Sequence, residues 1–491
     1  MVAAPPARPP RPAWLSPRVA RTEVLAGLVV ALALIPEAIS FSIIAGVDPR
    51  VGLFASFTMA VTIAVTGGRP AMISAATGAV ALVIAPLVRD HGLQYLIAAV
   101  LLGGVFQVAL GLLGVAKVMR FVPRSVMVGF VNALAILIFT AQLPQLIDVP
   151  WPVYPLAAVG LAIIFGLPRL TTAVPAPLVA IVVLTVFTVT VGVSVPTVGD
   201  EGRLPDSLPT LGLPDVPFSV ETLTIIAPYA LAIALVGLME SLMTAKLVDE
   251  ITDSPSSKTR ESVGQGIANL VTGAFGGMGG CAMIGQTMIN VRSGARTRLS
   301  TFLAGAFLLV LVLVLSPVVA VIPMAALVAV MVFVAIATFD WHSIRTLRRM
   351  PRSETAVMLV TVAVVLATSN LAIGVGVGVL VACVLFARRV AHLVTVTPTG
   401  APDGTRVYVV SGALFFASTN EMVGRFDYAG DPDRVVIDLS GAHVWDASSV
   451  AALDAIEHKY ATRGKSVQIV GLTDVSGHYH QRLAGRLGGG E

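Results

Sequence analysis

From residue 24 to residue 394 the chain alternates long apolar runs with short polar breaks. Measured against the ~20 apolar residues a helix needs to cross a bilayer, the runs resolve into fourteen segments. They lie at roughly 24–45, 51–67, 74–89, 94–114, 121–145, 152–167, 173–194, 222–248, 262–275, 282–291, 298–319, 321–338, 354–369 and 371–394. Runs of this kind predict helices, because barrel strands would alternate in units of ~10 residues. Two segments break the pattern. Residues 276–297, GGMGGCAMIGQTMINVRSGART, lie between apolar runs yet hold too many glycines and polar side chains for an ordinary spanning helix. Backbone that is not fully helical survives at membrane depth only where protein buries it or a cavity adjoins it. A short helix starting near Met283 would aim its N-terminal amides at whatever occupies that cavity. The first half carries a counterpart: SAATGAV (74–80) and CAMIGQT (281–287) align on Gly78 and Gly285. Paired Gly-interrupted segments in corresponding halves point to a transporter binding site built on inverted repeats.

Composition narrows the class to a polytopic membrane protein. The 491 residues are 56% hydrophobic and 12% charged, with mean hydropathy +0.88, against about 25% charged in soluble proteins. Placement of charge sets the topology. With the N-terminus inside, loops after even-numbered segments face the cytoplasm and should be basic. They carry Arg69; Lys117, Arg120 and Arg124; Arg169; Lys258 and Arg260; Arg292, Arg296 and Arg298; Arg345, Arg348, Arg349 and Arg352; Arg388 and Arg389. The opposite loops carry Arg50, Arg89 and Arg203, and the longest, 195–219, is Pro-rich and net acidic. That loop divides the segments seven and seven, giving repeats 22–194 and 222–395 of one transmembrane domain (22–395). An odd-numbered unit must be inverted relative to its copy, so segment three pairs with segment ten.

Residues 1–21 are Pro/Arg-rich, lack the apolar core and cleavage site of a signal peptide, and are read as a cytoplasmic tail with Trp14 near the interface. After Val394 the pattern changes. Residues 405–414, 434–439 and 465–471 read as strands and 447–460 as a helix, predicting a small cytoplasmic α/β domain over 396–485. The last residues, 488–491, read as disordered.

Polar residues inside the apolar runs carry the candidate chemistry. Glu37 follows Pro36 in segment one, and Glu240 holds the matching place in segment eight. A carboxylate at membrane depth protonates, pairs or faces water, so either could carry a coupling proton or a cation such as Na⁺, with Glu37 favoured for H⁺. Around the central pair, Thr77 and Gln286 offer hydrogen bonds, while Gly78 and Gly285 let a ligand approach the backbone. Thr77, Gly78, Ala79 and Val80 with Gly285, Gln286 and Thr287 form the predicted substrate site, walled by Phe41. No arginine is placed in that cavity, so anion attraction falls to the two helix N-termini, each roughly half an elementary charge. Asp249 and Glu250 read as interfacial, with Lys246 a partner for one of them. Asn132, Asn269 and Asn290 read as interhelical glue, GVGVG (374–378) as a close-packing face, and Cys281 and Cys383 as packing residues without disulfide or metal. No nucleophile elbow, nucleotide loop or His/Cys cluster appears, which excludes the common enzyme classes and any resident cofactor or metal, and nothing points to nucleic acid.

Motifs along nearly the whole chain, about 20–480, resemble the sulfate permease (SulP) family of anion transporters with its C-terminal STAS domain. They are PEAISF (36–41), AGVDPRVGL (45–53), TGAV (77–80), GQGIAN (264–269), FGGMGGCAMIGQ (275–286), IDLS (437–440) and DAS (446–448). The resemblance implies a seven-plus-seven inverted repeat split into core and gate domains, an anion held between the N-termini of segments three and ten, and a homodimer in the cell membrane. Family substrates include sulfate, bicarbonate, halides, oxalate and C4-dicarboxylates. Many animal members are basic where this chain has Gln286 and neutral where it has Glu37. An acidic residue there resembles proton-coupled members and implies anion–proton symport of a dicarboxylate, sulfate or similar anion. Sodium-coupled bicarbonate transport, an uncoupled anion channel and a scaffold with an inactive transport core are the alternatives. In the STAS part Ser448 keeps a hydroxyl where relatives are phosphorylated, but Ser449 replaces the following Gly, so a structural or regulatory module is expected.

Overall fold

The computed structural model describes residues 17–114, 122–171, 175–347, 349–391, 394–401, 404–472, 477 and 482–484. Trp14, Lys117, Arg120, Arg348, most of the tail 1–21 and residues 488–491 lie outside the described residues. Two compact units divide the chain, residues 1–379 and 380–491.

The first unit begins with helices α1 (Pro17–Ala45) and α2 (Pro49–Thr66), strand β1 (Ser74–Ala75), and helices α3 (Gly78–His91), α4 (Leu93–Leu112), α5 (Arg124–Thr140), α6 (Val153–Gly166) and α7 (Ala176–Val191). After the long loop come α8 (Val220–Thr252), α9 (Lys258–Ala274), strand β2 (Cys281–Ala282), α10 (Ile284–Arg292), α11 (Arg298–Ala320), α12 (Met324–Thr338), the short α13 (Trp341–Thr346), α14 (Arg352–Thr368) and α15 (Leu371–Ala391), which continues into the second unit. Each apolar segment coincides with a helix, and eight helices among the described residues are long and apolar enough to cross a membrane. The third and tenth segments differ from the rest, since each spends its first residues on a two-residue strand before a short helix begins.

Packing sorts the helices into two bundles. Helices α1–α4 pack with α8–α11, chiefly α4 on α9 and α8, and α11 on α1 and α2. Helices α5, α6, α7, α12 and α14 form the second bundle, with α14 on α5 and α12 on α6. In α15, two of the glycines of GVGVG make a close-packing face: a Cβ on Gly374 would meet Val365 Cγ2 at 2.1 Å and one on Gly378 would meet Thr361 Oγ1 at 2.2 Å.

Inside the first bundle β1 and β2 cross antiparallel, Ser74 opposite Ala282 and Ala75 opposite Cys281. Only glycine fits at 280, where a Cβ would stand 2.0 Å from the Ala75 carbonyl oxygen. The crossing removes backbone from helical hydrogen bonding at depth, so the protein must satisfy it internally. Asn269 accepts from Gly280 N–H (2.9 Å) and donates to Gly280 O (3.0 Å) and Gln107 Oε1 (2.8 Å). Ala282 N–H donates to Ser241 Oγ (3.1 Å), Ile73 N–H to Thr287 Oγ1 (3.0 Å), Ala76 N–H to Ser56 Oγ (3.3 Å), and Asn290 Nδ2 to Ala71 O (2.9 Å). Asn132 likewise joins α5 to α13 through Ser343 Oγ (2.9 Å) and Asp340 N–H (2.8 Å). The asparagines thus act as glue.

The second unit is a four-stranded sheet in the order β3 (Thr395–Gly400), β4 (Arg406–Leu414), β5 (Arg434–Val444), β6 (Ser466–Val470), with α16 (Thr419–Val423) and α17 (Ala447–Ala461). Strand β3 is antiparallel to β4, and β4, β5 and β6 are parallel. The sequence reading lacks β3, whose TVTPTG is largely exposed and carries Pro398 as edge strands do. It also ends β5 at 439, where Ser-Gly suggests a turn although the strand runs on to Val444. The buried core holds Tyr408 and Tyr460, whose hydroxyls donate to the buried Asp431 carboxylate at 2.7 and 2.5 Å. Burial, reinforced by that carboxylate, pushes the Tyr460 hydroxyl well above its ordinary range.

Candidate functional site

A cavity of about 790 Å³ lies between the two bundles of the first unit. From the first bundle it is walled by Pro36, Glu37 and Phe41 of α1, Thr77, Gly78 and Ala79 at the start of α3, Glu240 and Met243 of α8, and one side of α10. Phe130, Leu134 and Ile138 of α5, with Val330 and Phe333 of α12, close it from the second bundle. Its outer wall reaches Pro168, Pro175 and Thr338 together with Arg292 and Ser293, all at segment ends that border the basic loops.

The N-terminus of α3 is capped. Thr77 Oγ1 accepts from Val80 N–H (3.4 Å) and Thr77 O from Ala81 N–H (2.9 Å). The α10 N-terminus has no side-chain cap; Met283 precedes it, and Thr287 N–H donates to Met283 O at 3.0 Å. Among the described residues the N–H groups of Gly78, Ala79, Ile284, Gly285 and Gln286 have no hydrogen-bond acceptor. Such amides, at the positive ends of helix dipoles, are suited to bind an anion. Their exposure differs. A Cβ on Gly78 would lie 2.8 Å from Phe41 Cε1, whereas one on Gly285 would meet nothing within 4 Å, and Gly285 is exposed to the cavity.

Glu37 and Glu240 are each half-buried and line the cavity. Pro36 interrupts the α1 ladder just before Glu37, and Ser40 Oγ donates to its carbonyl at 2.8 Å. Gln286 is a side-chain neighbour of the Glu37 carboxyl, and both line the cavity. Glu240 Oε2 accepts from Cys281 Sγ at 2.9 Å, and Cys281 Sγ lies 3.1 Å from Thr77 Oγ1. A chain of contacts therefore runs from the cap of α3 through the strand crossing to α8. Val80 and Thr287 are buried, Val80 in the first turn of α3 and Thr287 with its hydroxyl tied to Ile73. They stand behind the wall that the other predicted residues form.

Over residues 21–159 and 146–361 the sequence matches the Sulfate permease family, and over 398–483 the STAS domain. The chain belongs to the sulfate permease family. It is thus a multi-pass membrane protein of an anion-transporter family, and a family of transporters rather than enzymes. A similar curated protein is YbaR of Bacillus subtilis (strain 168), provisionally named a sulfate transporter, 56% identical over 464 residues that span 94% of this chain and 97% of YbaR. Among solved structures, the transmembrane domain of a cyanobacterial bicarbonate transporter, BicA, matches with TM-score 0.64 and 26% identity over 74% of this chain and 97% of that one. The murine Slc26a9 anion transporter in its inward-facing state matches with TM-score 0.82 at 16% identity, covering 96% of this chain and 89% of its own. That likeness concerns the fold.

Within this family fold the structure corrects two sequence readings. Arg292 does line the cavity; its spacing from Gly285, seven residues along one helix face, was the available signal. Cys281 is more than packing, since it touches both Glu240 and Thr77, a pairing made by strand crossing that no linear spacing announces. Cys383 is exposed. Lys246 pairs with Glu250 at 3.9 Å, while Asp249 takes Arg69 (3.1 Å) and Lys258 (2.6 Å).

Proposed function

We propose that the protein is a secondary active transporter that carries a small anion, sulfate or a dicarboxylate, in symport with a proton held on Glu37. The observation that carries this reading is the convergence of two helix N-termini with unpaired amides on one cavity, beside a half-buried carboxyl on α1. The anion lies against residues 284–286 and 78–79, and the proton on Glu37 offsets its charge during passage. The first bundle is the moving core and the second the gate, within the transmembrane domain 22–395. The amino terminus and the STAS domain lie in the cytoplasm, on the side of the basic loops, and the working unit is a homodimer. Because the outer cavity wall borders those loops, this arrangement is open to the cytoplasm.

The test is uptake of labelled sulfate and labelled succinate into proteoliposomes with the interior alkaline, with and without Na⁺. Gradient-stimulated, Na⁺-independent uptake that Glu37→Gln abolishes supports the reading, and unchanged coupling in Glu37→Gln overturns it. A second reading, sodium-coupled bicarbonate transport, draws on the Glu240, Cys281 and Thr77 cluster and on the likeness to BicA. Uptake of bicarbonate that requires Na⁺ at fixed pH would favour it.

A further inference from the structure

One face of α10 forms a continuous strip of the cavity wall. Gly285, Gln286, Ile289, Arg292 and Ser293 line it, at the i, i+1, i+4, i+7 and i+8 spacing of one helix face. The strip begins at unpaired amides and ends at an exposed guanidinium, seven residues and roughly 10 Å further along at ~1.5 Å per residue. Among the described residues the charged side chains on the cavity wall are Glu37, Glu240 and Arg292.

Four neighbouring arginines of the first bundle are committed to structure. Arg69 donates to Asp249 (3.1 Å) and Ser254 O (2.8 Å), and also to Thr252 Oγ1. Arg260 satisfies Val65 O (3.1 Å) and Thr66 O (3.3 Å), and Arg298 satisfies Ala64 O (3.0 Å) and Gly67 O (2.6 Å), completing the carbonyls that end α2. Arg296 does the same for α10 through Val291 O (2.7 Å) and Ala295 O (2.6 Å). The C-terminal dipole of α10 thus already has its cation. The Arg292 guanidinium makes no hydrogen bond or ion pair among the described residues.

We infer that Arg292 is a positioning residue for the substrate, drawing a small oxyanion into the cavity mouth and passing it along α10 to the amides of residues 284–286. This deepens the anion-carrier reading and rests on it. A fixed cation at the mouth of a low-dielectric cleft raises the local concentration of anions, and one that shares its charge with no carboxylate does so at full strength. Across roughly 10 Å of partly aqueous cleft its pull changes affinity by about three- to tenfold at low salt, and it fades once the Debye length falls below that distance.

The test is saturable binding of labelled sulfate, and in parallel labelled bicarbonate, to the purified full-length protein at low and high ionic strength. Arg292→Gln should weaken binding about three- to tenfold at low ionic strength and converge with the wild type at high ionic strength, and Arg292→Lys should recover most of the loss. A purely structural role would give a loss independent of salt and not rescued by Lys, which overturns the inference. Wild-type affinity in Arg292→Gln at both salts, with wild-type binding abolished by Gly285→Val, overturns this inference and leaves the carrier reading intact. No saturable binding by the wild type would overturn both.

Discussion

Two short helices meet at one cavity, and they are finished differently. The start of α3 is shielded: Thr77 caps it, and the Phe41 ring occupies the space that a side chain at Gly78 would need. The start of α10 is bare, with no side-chain cap and with Gly285 open to the cavity. The carboxyls differ in the same sense. Glu37 faces Gln286 on the bare helix, while Glu240 is held by the Cys281 thiol, itself against the Thr77 cap. Repetition gives the two halves matching backbones, and side chains then assign them unequal work. One half is capped and walled at its helix start, and the other leaves its helix start open to the cavity.

The widest separation is expected from the two glycines. Gly285→Val fills open space before unpaired amides, so it should cut uptake more than about tenfold while leaving the melting temperature near wild type. Gly78→Val instead drives into Phe41 and Ile138 and should destabilise the protein by about 1–3 kcal/mol through overpacking. Gly78→Ala combined with Phe41→Ala should recover part of that loss. Uptake and thermal melts on the same preparations decide it, and parallel effects at both glycines would erase the asymmetry. Next in size are the carboxyls. Glu37→Gln should remove the stimulation by an inside-alkaline gradient, whereas Glu240→Gln should retain it, measured as the ratio of uptake with and without the gradient.

How much of this was legible beforehand follows from what repeats and what does not. The helical apolar segments, the break at 276–297 and its partner at 74–80 could be read because bilayer thickness and backbone satisfaction impose them on any sequence. The pairing of Gly78 with Gly285 was correct to within one residue, since α3 begins at Gly78 and α10 at Ile284. What could not be read is which helix start is covered. That depends on Phe41 arriving from another helix and on Cys281 crossing beside Ala75, and neither contact has a spacing in the sequence. Arg292 was assigned to topology because loop arginines usually are. Its separation from Arg260, Arg296 and Arg298 needs the hydrogen bonds those three make to helix carbonyls.

Thr77 sharpens the comparison at a smaller scale. Thr77→Ala removes an N-cap and should cost about 1 kcal/mol of stability, with Thr77→Ser restoring it, as read by thermal or denaturant unfolding. No equivalent exists at α10, where Met283 supplies no cap.

The smallest effect expected is at Cys281, and it tests which carboxyl does the coupling. The thiol is fully buried and donates to Glu240, so Cys281→Ala deletes one partner of a cavity carboxyl and leaves Glu37 and Gln286 untouched. If proton coupling resides on Glu37, gradient-driven uptake in Cys281→Ala should stay within about twofold of wild type, with a stability loss near 1 kcal/mol for the missing hydrogen bond. Cys281→Ser, which keeps a donor, should lose less. If coupling resides on Glu240 instead, the same alanine disturbs the coupling group directly, and uptake should fall towards that of Glu240→Gln or acquire an altered Na⁺ dependence. Measuring both variants against both gradients therefore assigns coupling to the bare half of the cavity or to the braced one.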